Sequence, residues 1–125
     1  MNLNKFSVKS RFRSFKFAFS GILLILKNEH NSRIHLLAAI VAIISGLLLK
    51  ISLIEWSLLI IVIGIVFLTE LLNTALETLA DIVDPEINEN IRKTKDYAAA
   101  AVLISAIMAL CVGGLIFIPR ILNLF

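Results

Sequence analysis

The stretch that decides the fold is 56–81, WSLLIIVIGIVFLTELLNTALETLAD. It carries no charge until Glu70, and from there Glu70, Asn73, Glu77 and Asp81 fall at offsets of 0, 3, 7 and 11 residues. At about 100° per residue those offsets return to one direction, so a helix presents the four polar side chains as a single stripe. The apolar run 56–80 is long enough to cross a bilayer core of about 30 Å. With Trp56 at the outer interface, a rise of about 1.5 Å per residue puts Glu70 roughly 21 Å inward and Glu77 roughly 31 Å. The stripe thus begins inside the slab, ends at its inner edge, and must face protein or water. Burying a carboxylate at that depth costs at least ~2.5 kcal/mol, and intramembrane acids usually have a functional reason to be there. The structural alternative, a hydrogen bond tying two helices together, applies to Glu70 and more strongly to Asn73.

The rest of the chain fits a membrane setting. Of its 125 residues 59% are hydrophobic and only 17% charged, and the mean hydropathy is +0.96. A soluble domain runs nearer half apolar and a quarter charged, and multidomain, disordered and collagen-like classes are excluded. Upstream of the deciding stretch, 34–49 is apolar and short for a span. Downstream, 97–118 is apolar and closed by Pro119 and Arg120, after a charge-rich connection from Asp81 to Asp96 in which Pro85 forbids a continuous helix. Three spans result. Over residues 6–27, Phe12, Phe15, Phe19, Ile22, Leu23 and Leu26 recur at helical steps, with Arg13, Lys16, Ser20 and Lys27 on the other side. That pattern predicts an amphipathic helix lying in the headgroup plane, with packing on a partner protein as the alternative. The fold class is therefore an all-α membrane protein, one domain over 1–125.

Charge distribution orients it. Lys5, Lys9, Arg11, Arg13, Lys16, Lys27 and Arg33 precede the first span, Lys50 follows it, Arg92, Lys93 and Lys95 lie between the second and third, and Arg120 follows the third. Basic residues favour the cytoplasm, so the amino terminus and the 81–96 connection are expected inside and the carboxyl terminus outside. The same basic residues suit an anionic membrane surface better than a nucleic acid. A cleaved signal peptide does not fit, because 1–33 is too long and too interrupted by charge. The small residues Ala98 to Ala101 and Gly113-Gly114 allow close helix packing.

Several chemistries are absent. Cys111 is the single cysteine, so there is no disulfide framework and no cysteine metal site. His30 and His35 are five apart and do not share a helix face, which argues against a zinc pair. The five glycines are scattered, so no phosphate-cradling loop is present, and no serine-nucleophile motif is found. What remains is a convergence at the cytoplasmic edge: Glu29 before the first span, Glu77 in the second, and Lys95-Asp96 before the third. Carboxylates completed by phosphate oxygens are a usual Mg²⁺ site, and lysine is a usual phosphate partner. Taken singly, each of these charges is more simply a solvated loop residue.

The run Glu70-Leu71-Leu72-Asn73-Thr74-Ala75-Leu76-Glu77-Thr78-Leu79-Ala80-Asp81, followed by Lys95-Asp96-Tyr97-Ala98-Ala99-Ala100-Ala101-Val102-Leu103, resembles the bacterial integral-membrane diacylglycerol kinase family, which includes undecaprenol kinases. The likeness extends over nearly the whole chain, Asn28-Glu29 included. It implies a homotrimer of three-span subunits in the bacterial inner membrane, using ATP and Mg²⁺ to phosphorylate a membrane lipid hydroxyl near the cytoplasmic face. On this resemblance Glu70 is the general base beside the lipid hydroxyl, and Glu29 and Glu77 hold Mg²⁺ against the ATP phosphates. Phe17, Glu86, Asn88, Lys95 and Asp96 join Glu29 and Glu77 around the nucleotide, while Asn73 and Asp81 support the site.

Departures from the family pattern bear on the acceptor. Ser10 stands where the diacylglycerol kinases have a basic residue, and Phe17 replaces a tyrosine. Arg33-Ile34-His35 looks more like the undecaprenol kinases, since the diacylglycerol branch carries a second acid at the His35 position. Diacylglycerol has two ester carbonyls that a polyprenol lacks, and Asn28, Asn31, Ser32, Arg33 and His35 supply donors at the junction before the first span. The balance of residues favours diacylglycerol narrowly, with Asn31 and Ser32 as acceptor contacts and undecaprenol as the alternative. A proton-coupled transporter built on Glu70 would leave Glu29, Glu77, Lys95 and Asp96 idle, and a non-catalytic scaffold would leave the acidic stripe unexplained.

Overall fold

The computed structural model describes residues 6–86 and 88–125; Lys5, counted above among the basic residues, lies outside them. Four α-helices follow one another: α1 (Val8–Asn28), α2 (His30–Leu49), α3 (Leu53–Val83) and α4 (Glu89–Leu122). The last three are long and apolar enough to cross a membrane. Ser7 caps α1, its Oγ accepting the Ser10 N–H at 3.3 Å. Ile25 is the buried residue of α1, while Phe12, Phe15 and Phe19 are exposed. Between α1 and α2 only Glu29 leaves the helical conformation, at φ −105° and ψ 114°, and its N–H still bonds Ile25 O at 2.9 Å. The polar stretch 27–33 is thus helical on both sides of a one-residue break, and α2 starts four residues before its apolar segment.

The turn from α2 to α3 is tight. Lys50 takes a left-handed conformation (φ 53°, ψ 55°), and α3 begins in a reciprocal cap. Ser52 Oγ accepts the Glu55 N–H at 3.2 Å, and Glu55 Oε1 accepts the Ser52 N–H at 3.0 Å. α2 buries Ser32, Ala39 and Gly46, small residues seven apart on one stripe. Gly46 is required by close approach, because a Cβ there would stand 2.8 Å from Trp56 Cη2 and 3.0 Å from Ile51 Cδ1.

α3 and α4 form the main packed pair, and α2 touches them less extensively. Thr69 Oγ1 and Ser105 Oγ share a hydrogen bond at 2.8 Å between them, with Ser105 buried. With 31 and 34 residues, α3 and α4 are about 46 and 51 Å long, against about 30 Å for the 20 residues of α2. The α3–α4 hairpin therefore overreaches a bilayer core of about 30 Å. The connection expected from Asp81 to Asp96 is mostly helical, and its non-helical part is the short link between Val83 and Glu89. Asp84 ties that link together, Oδ1 accepting the Glu86 N–H at 3.0 Å and Oδ2 accepting from Asn88 Nδ2.

α4 does not close at Pro119 as the sequence suggested; it continues to Leu122. Pro119 withholds the N–H that would bond the Leu115 carbonyl, a loss of one hydrogen bond that does not stop the three residues after it from completing the helix. Arg120, in the last turn, gathers the ends of the three long helices that lie away from Glu70. Its Nε donates to Glu55 Oε2 at 3.2 Å, its Nη2 pairs with Glu55 Oε1, and its Nη1 reaches Leu49 O at 3.4 Å. Below this clasp Ile51, Leu59 and Ile116 form a small core with Trp56, Ile63 and Phe117 against it.

Candidate active site

One face of α3 changes chemistry partway along. Leu59, Val62, Val66 and Glu70 are buried at steps of three and four residues, and the same steps continue through Asn73 and Glu77. The face packs hydrocarbon over its first half and becomes polar from Glu70 onward. Exposure grades along it: Glu70 is 4% exposed, Asn73 and Glu77 are half-buried, and Asp81 is exposed. α2 runs the other way and makes the matching change. Ser32 and His35, one turn apart at its start, precede Ala39 and Gly46. The two polar halves meet at one depth.

There His35 Nε2 lies 3.1 Å from Glu70 Oε1. Glu29, Ser32 and Glu77 are the remaining polar neighbours acting on the Glu70 carboxylate. Three elements thus converge: the α1–α2 break, the first turns of α2 and the middle of α3. Polar atoms inside this niche lack partners. Ser32 Oγ, Glu70 Oε1 and Asn73 Oδ1 are buried without an aligned hydrogen bond, although His35 stands close to the second. Buried polar atoms left in this state in a folded protein call for a ligand, a water or a catalytic role.

Other expected site residues fall elsewhere. Lys95 Nζ donates to Asp81 Oδ1 at 2.6 Å, pinning α4 to α3 at the end of the polar stripe, and Asp96 is exposed beside it. Asn88 is the N-cap of α4, its Oδ1 accepting the Ile91 N–H at 2.9 Å, and Glu86 is exposed in the same link. Phe17 is exposed on α1, and Asn31 is exposed on α2 next to buried Ser32. Among the described residues none of Phe17, Asn31, Glu86, Asn88 or Asp96 bonds to Glu70.

As a cation site, the described residues hold no cluster of three or more histidine, cysteine or acidic side chains. Glu29 and Glu77, both half-buried and both close enough to act on Glu70, form a two-carboxylate set. That set fits Mg²⁺, which commonly takes one or two carboxylates and completes its shell with phosphate oxygens and water. Outward from His35, a cleft of about 710 Å³ runs between α2, α3 and α4, lined by Ala39, Val66, Phe67, Ala109 and Phe117 among others.

Sequence reasoning missed several of these contacts. His35 reads in the sequence as a poor zinc candidate and as one of the donors before the first span, and its contact with the distant Glu70 carries no local signal. The Ser52-Leu53-Ile54-Glu55 capping signal was also present in the sequence. The Thr69–Ser105 and Glu55–Arg120 pairs carry no sequence signal, since their members are 36 and 65 residues apart.

Comparison with known proteins gives the family. An undecaprenol kinase of Bacillus subtilis is 37% identical over 119 residues, 95% of this chain and 93% of that protein. A diacylglycerol kinase of Synechocystis is 37% identical over 112 residues, 89% of this chain and 64% of that protein. The family model described as prokaryotic diacylglycerol kinase matches residues 16–117. With the three apolar helices, this makes the chain a multi-pass membrane protein and a lipid kinase that belongs to the prokaryotic diacylglycerol kinase family.

Proposed function

We propose that the chain transfers the γ-phosphoryl group of ATP to the hydroxyl of a neutral lipid alcohol at the cytoplasmic face of the inner membrane, with Glu70 as general base. The observation that carries this is the niche of unpartnered polar atoms, Ser32 Oγ, Glu70 Oε1 and Asn73 Oδ1, buried between two helices long and apolar enough to cross a membrane, with Glu29 and Glu77 acting on the same carboxylate. A lipid hydroxyl arriving from the bilayer meets Glu70 Oε1. As its O–H bond breaks, the proton passes to the carboxylate, the oxygen bonds to the γ-phosphorus, and the bond to ADP breaks. Phosphoryl transfer needs positioning and charge compensation more than covalent chemistry. Glu29 and Glu77 are the residues that would hold Mg²⁺, which neutralises phosphate charge when bound. Lys95, which donates to Asp81 at 2.6 Å, exchanges that carboxylate for a phosphate in this reading. Asp96, Asn88, Glu86 and Phe17 form the outer nucleotide surface in this reading, and Asn73 and Asp81 support the inner one.

Two acceptors are in view. Diacylglycerol is supported by Ser32, whose buried hydroxyl lies beside the Glu70 carboxylate where an ester carbonyl could accept from it. Undecaprenol is a second reading, favoured by the hydrocarbon lining of the cleft that His35 heads. The test is a radiolabelled-ATP assay on purified protein in mixed micelles offering diacylglycerol, undecaprenol and ceramide in parallel. Label in either of the first two supports the reading and chooses between them, whereas label in none refutes it.

Assembly as a homotrimer, with the amino terminus in the cytoplasm, is part of the same proposal. It is supported by how little each span is covered within one chain: 17%, 22% and 11% of the most apolar windows of α2, α3 and α4 are buried. α1 then lies along the inner membrane surface.

A further inference from the structure

A base sunk in hydrocarbon needs something to hold its carboxylate in place and to offset its charge. Glu70 is 4% exposed, and an uncompensated carboxylate at such a site is costly. Among the described residues, its single nitrogen partner is His35 Nε2, at 3.1 Å. The other cations are engaged or turned away, with Lys95 bonded to Asp81 and Arg33 exposed. Ser32, one turn before His35, is fully buried but forms no aligned bond. His35 keeps 24% of its side chain exposed and also lines the head of the apolar cleft, so the imidazole separates the cleft from the carboxylate.

We propose that His35 is a positioning residue for Glu70, setting the orientation of the carboxylate and offsetting its charge while leaving Oε1 open to the lipid hydroxyl. This rests on Glu70 being the base. The contact geometry supports it: the imidazole nitrogen is within ion-pair distance, yet Oε1 has no aligned hydrogen-bond donor. A fully aligned bond would favour the charged carboxylate and make Oε1 a weaker acceptor for the substrate proton. The proton stays on Glu70 through the transfer step, and His35 acts only through its effect on that carboxylate. Its face of α2 is fixed by the small residues Ala39 and Gly46 packed behind it, so the position depends on helix packing and not on a flexible loop.

The test compares wild type, His35→Gln, His35→Ala and Glu70→Gln in the same micelles with the preferred lipid. His35→Gln keeps a hydrogen-bond donor but no charge, and kcat is expected to fall at least fivefold with KM for ATP within twofold of wild type. His35→Ala is assayed with added imidazole and with pyrazole, which has the same shape but stays neutral. Imidazole should restore the rate at least threefold more than pyrazole. A smaller fall in kcat for His35→Gln overturns the assignment. So does restoration by pyrazole equal to that by imidazole, or by neither, because His35 would then only fill space. Substantial turnover by Glu70→Gln would remove the base itself, whereas an inactive Glu70→Gln beside a fully active His35→Gln would remove only the role of His35.

Discussion

Replacing Glu70 by Gln should move rate and stability in opposite directions. Gln keeps the size of the side chain and its contacts with α2 but cannot take the hydroxyl proton. Loss of a general base typically lowers rate by ~10² to 10⁴. At about 1.36 kcal/mol per tenfold, that adds about 2.7 to 5.5 kcal/mol to the barrier. The folded state changes differently. Glu70 is buried, one carboxylate oxygen has no aligned partner, and the acids Glu29 and Glu77 act on it from two sides. Removing a charge that costs at least ~2.5 kcal/mol to place in the slab relieves that repulsion, and the lost contact with His35 offsets only part of the gain. The variant should therefore melt no lower than wild type in the same detergent while turnover falls at least a hundredfold. Turnover comes from label transferred under saturating ATP, and stability from a thermal scan of the same preparation. Retention of more than a tenth of the wild-type rate would refute Glu70 as base. A large rate loss accompanied by a lower melting temperature would show instead that the charge is structural.

The Glu29→Ala and Glu77→Ala variants should each raise the Mg²⁺ concentration giving half-maximal rate, since each removes a hard oxygen ligand; unchanged titrations for both would reject that role. Arg120→Met breaks the clasp on Glu55 at the far end of the helices from Glu70. It should lower the melting temperature while kcat stays within twofold, since Glu55 loses its cation and the helix ends lose their tie; a large kcat loss at unchanged stability would place Arg120 in the machinery instead. For topology, in a Cys111→Ser background, cysteine at Asn90 should react with impermeant maleimide only from the cytoplasmic side and cysteine at Asn123 only from outside. The reverse pattern would overturn the orientation drawn from Lys and Arg counts.

Periodicity and composition are local properties, and they carried the sequence a long way. The 3-4-4 recurrence that places Glu70, Asn73, Glu77 and Asp81 on one helix face follows from the backbone repeat alone. The number of apolar segments follows from the thickness any span must cross. The ends of the helices did not follow, because hydropathy marks where hydrocarbon begins and not where backbone hydrogen bonding stops. α4 thus starts at Glu89 and runs past Pro119, well beyond its apolar stretch. Which side chains meet across helices was decided only by tertiary structure. Such pairs depend on the rotation and axial offset of each helix, and these are set by close contacts such as Trp56 against Gly46 and by the tight turn at Lys50. The sequence accordingly shows a carboxylate that should not be in a membrane, and the packing of α2 on α3 brings His35, Ser32 and Glu29 to it.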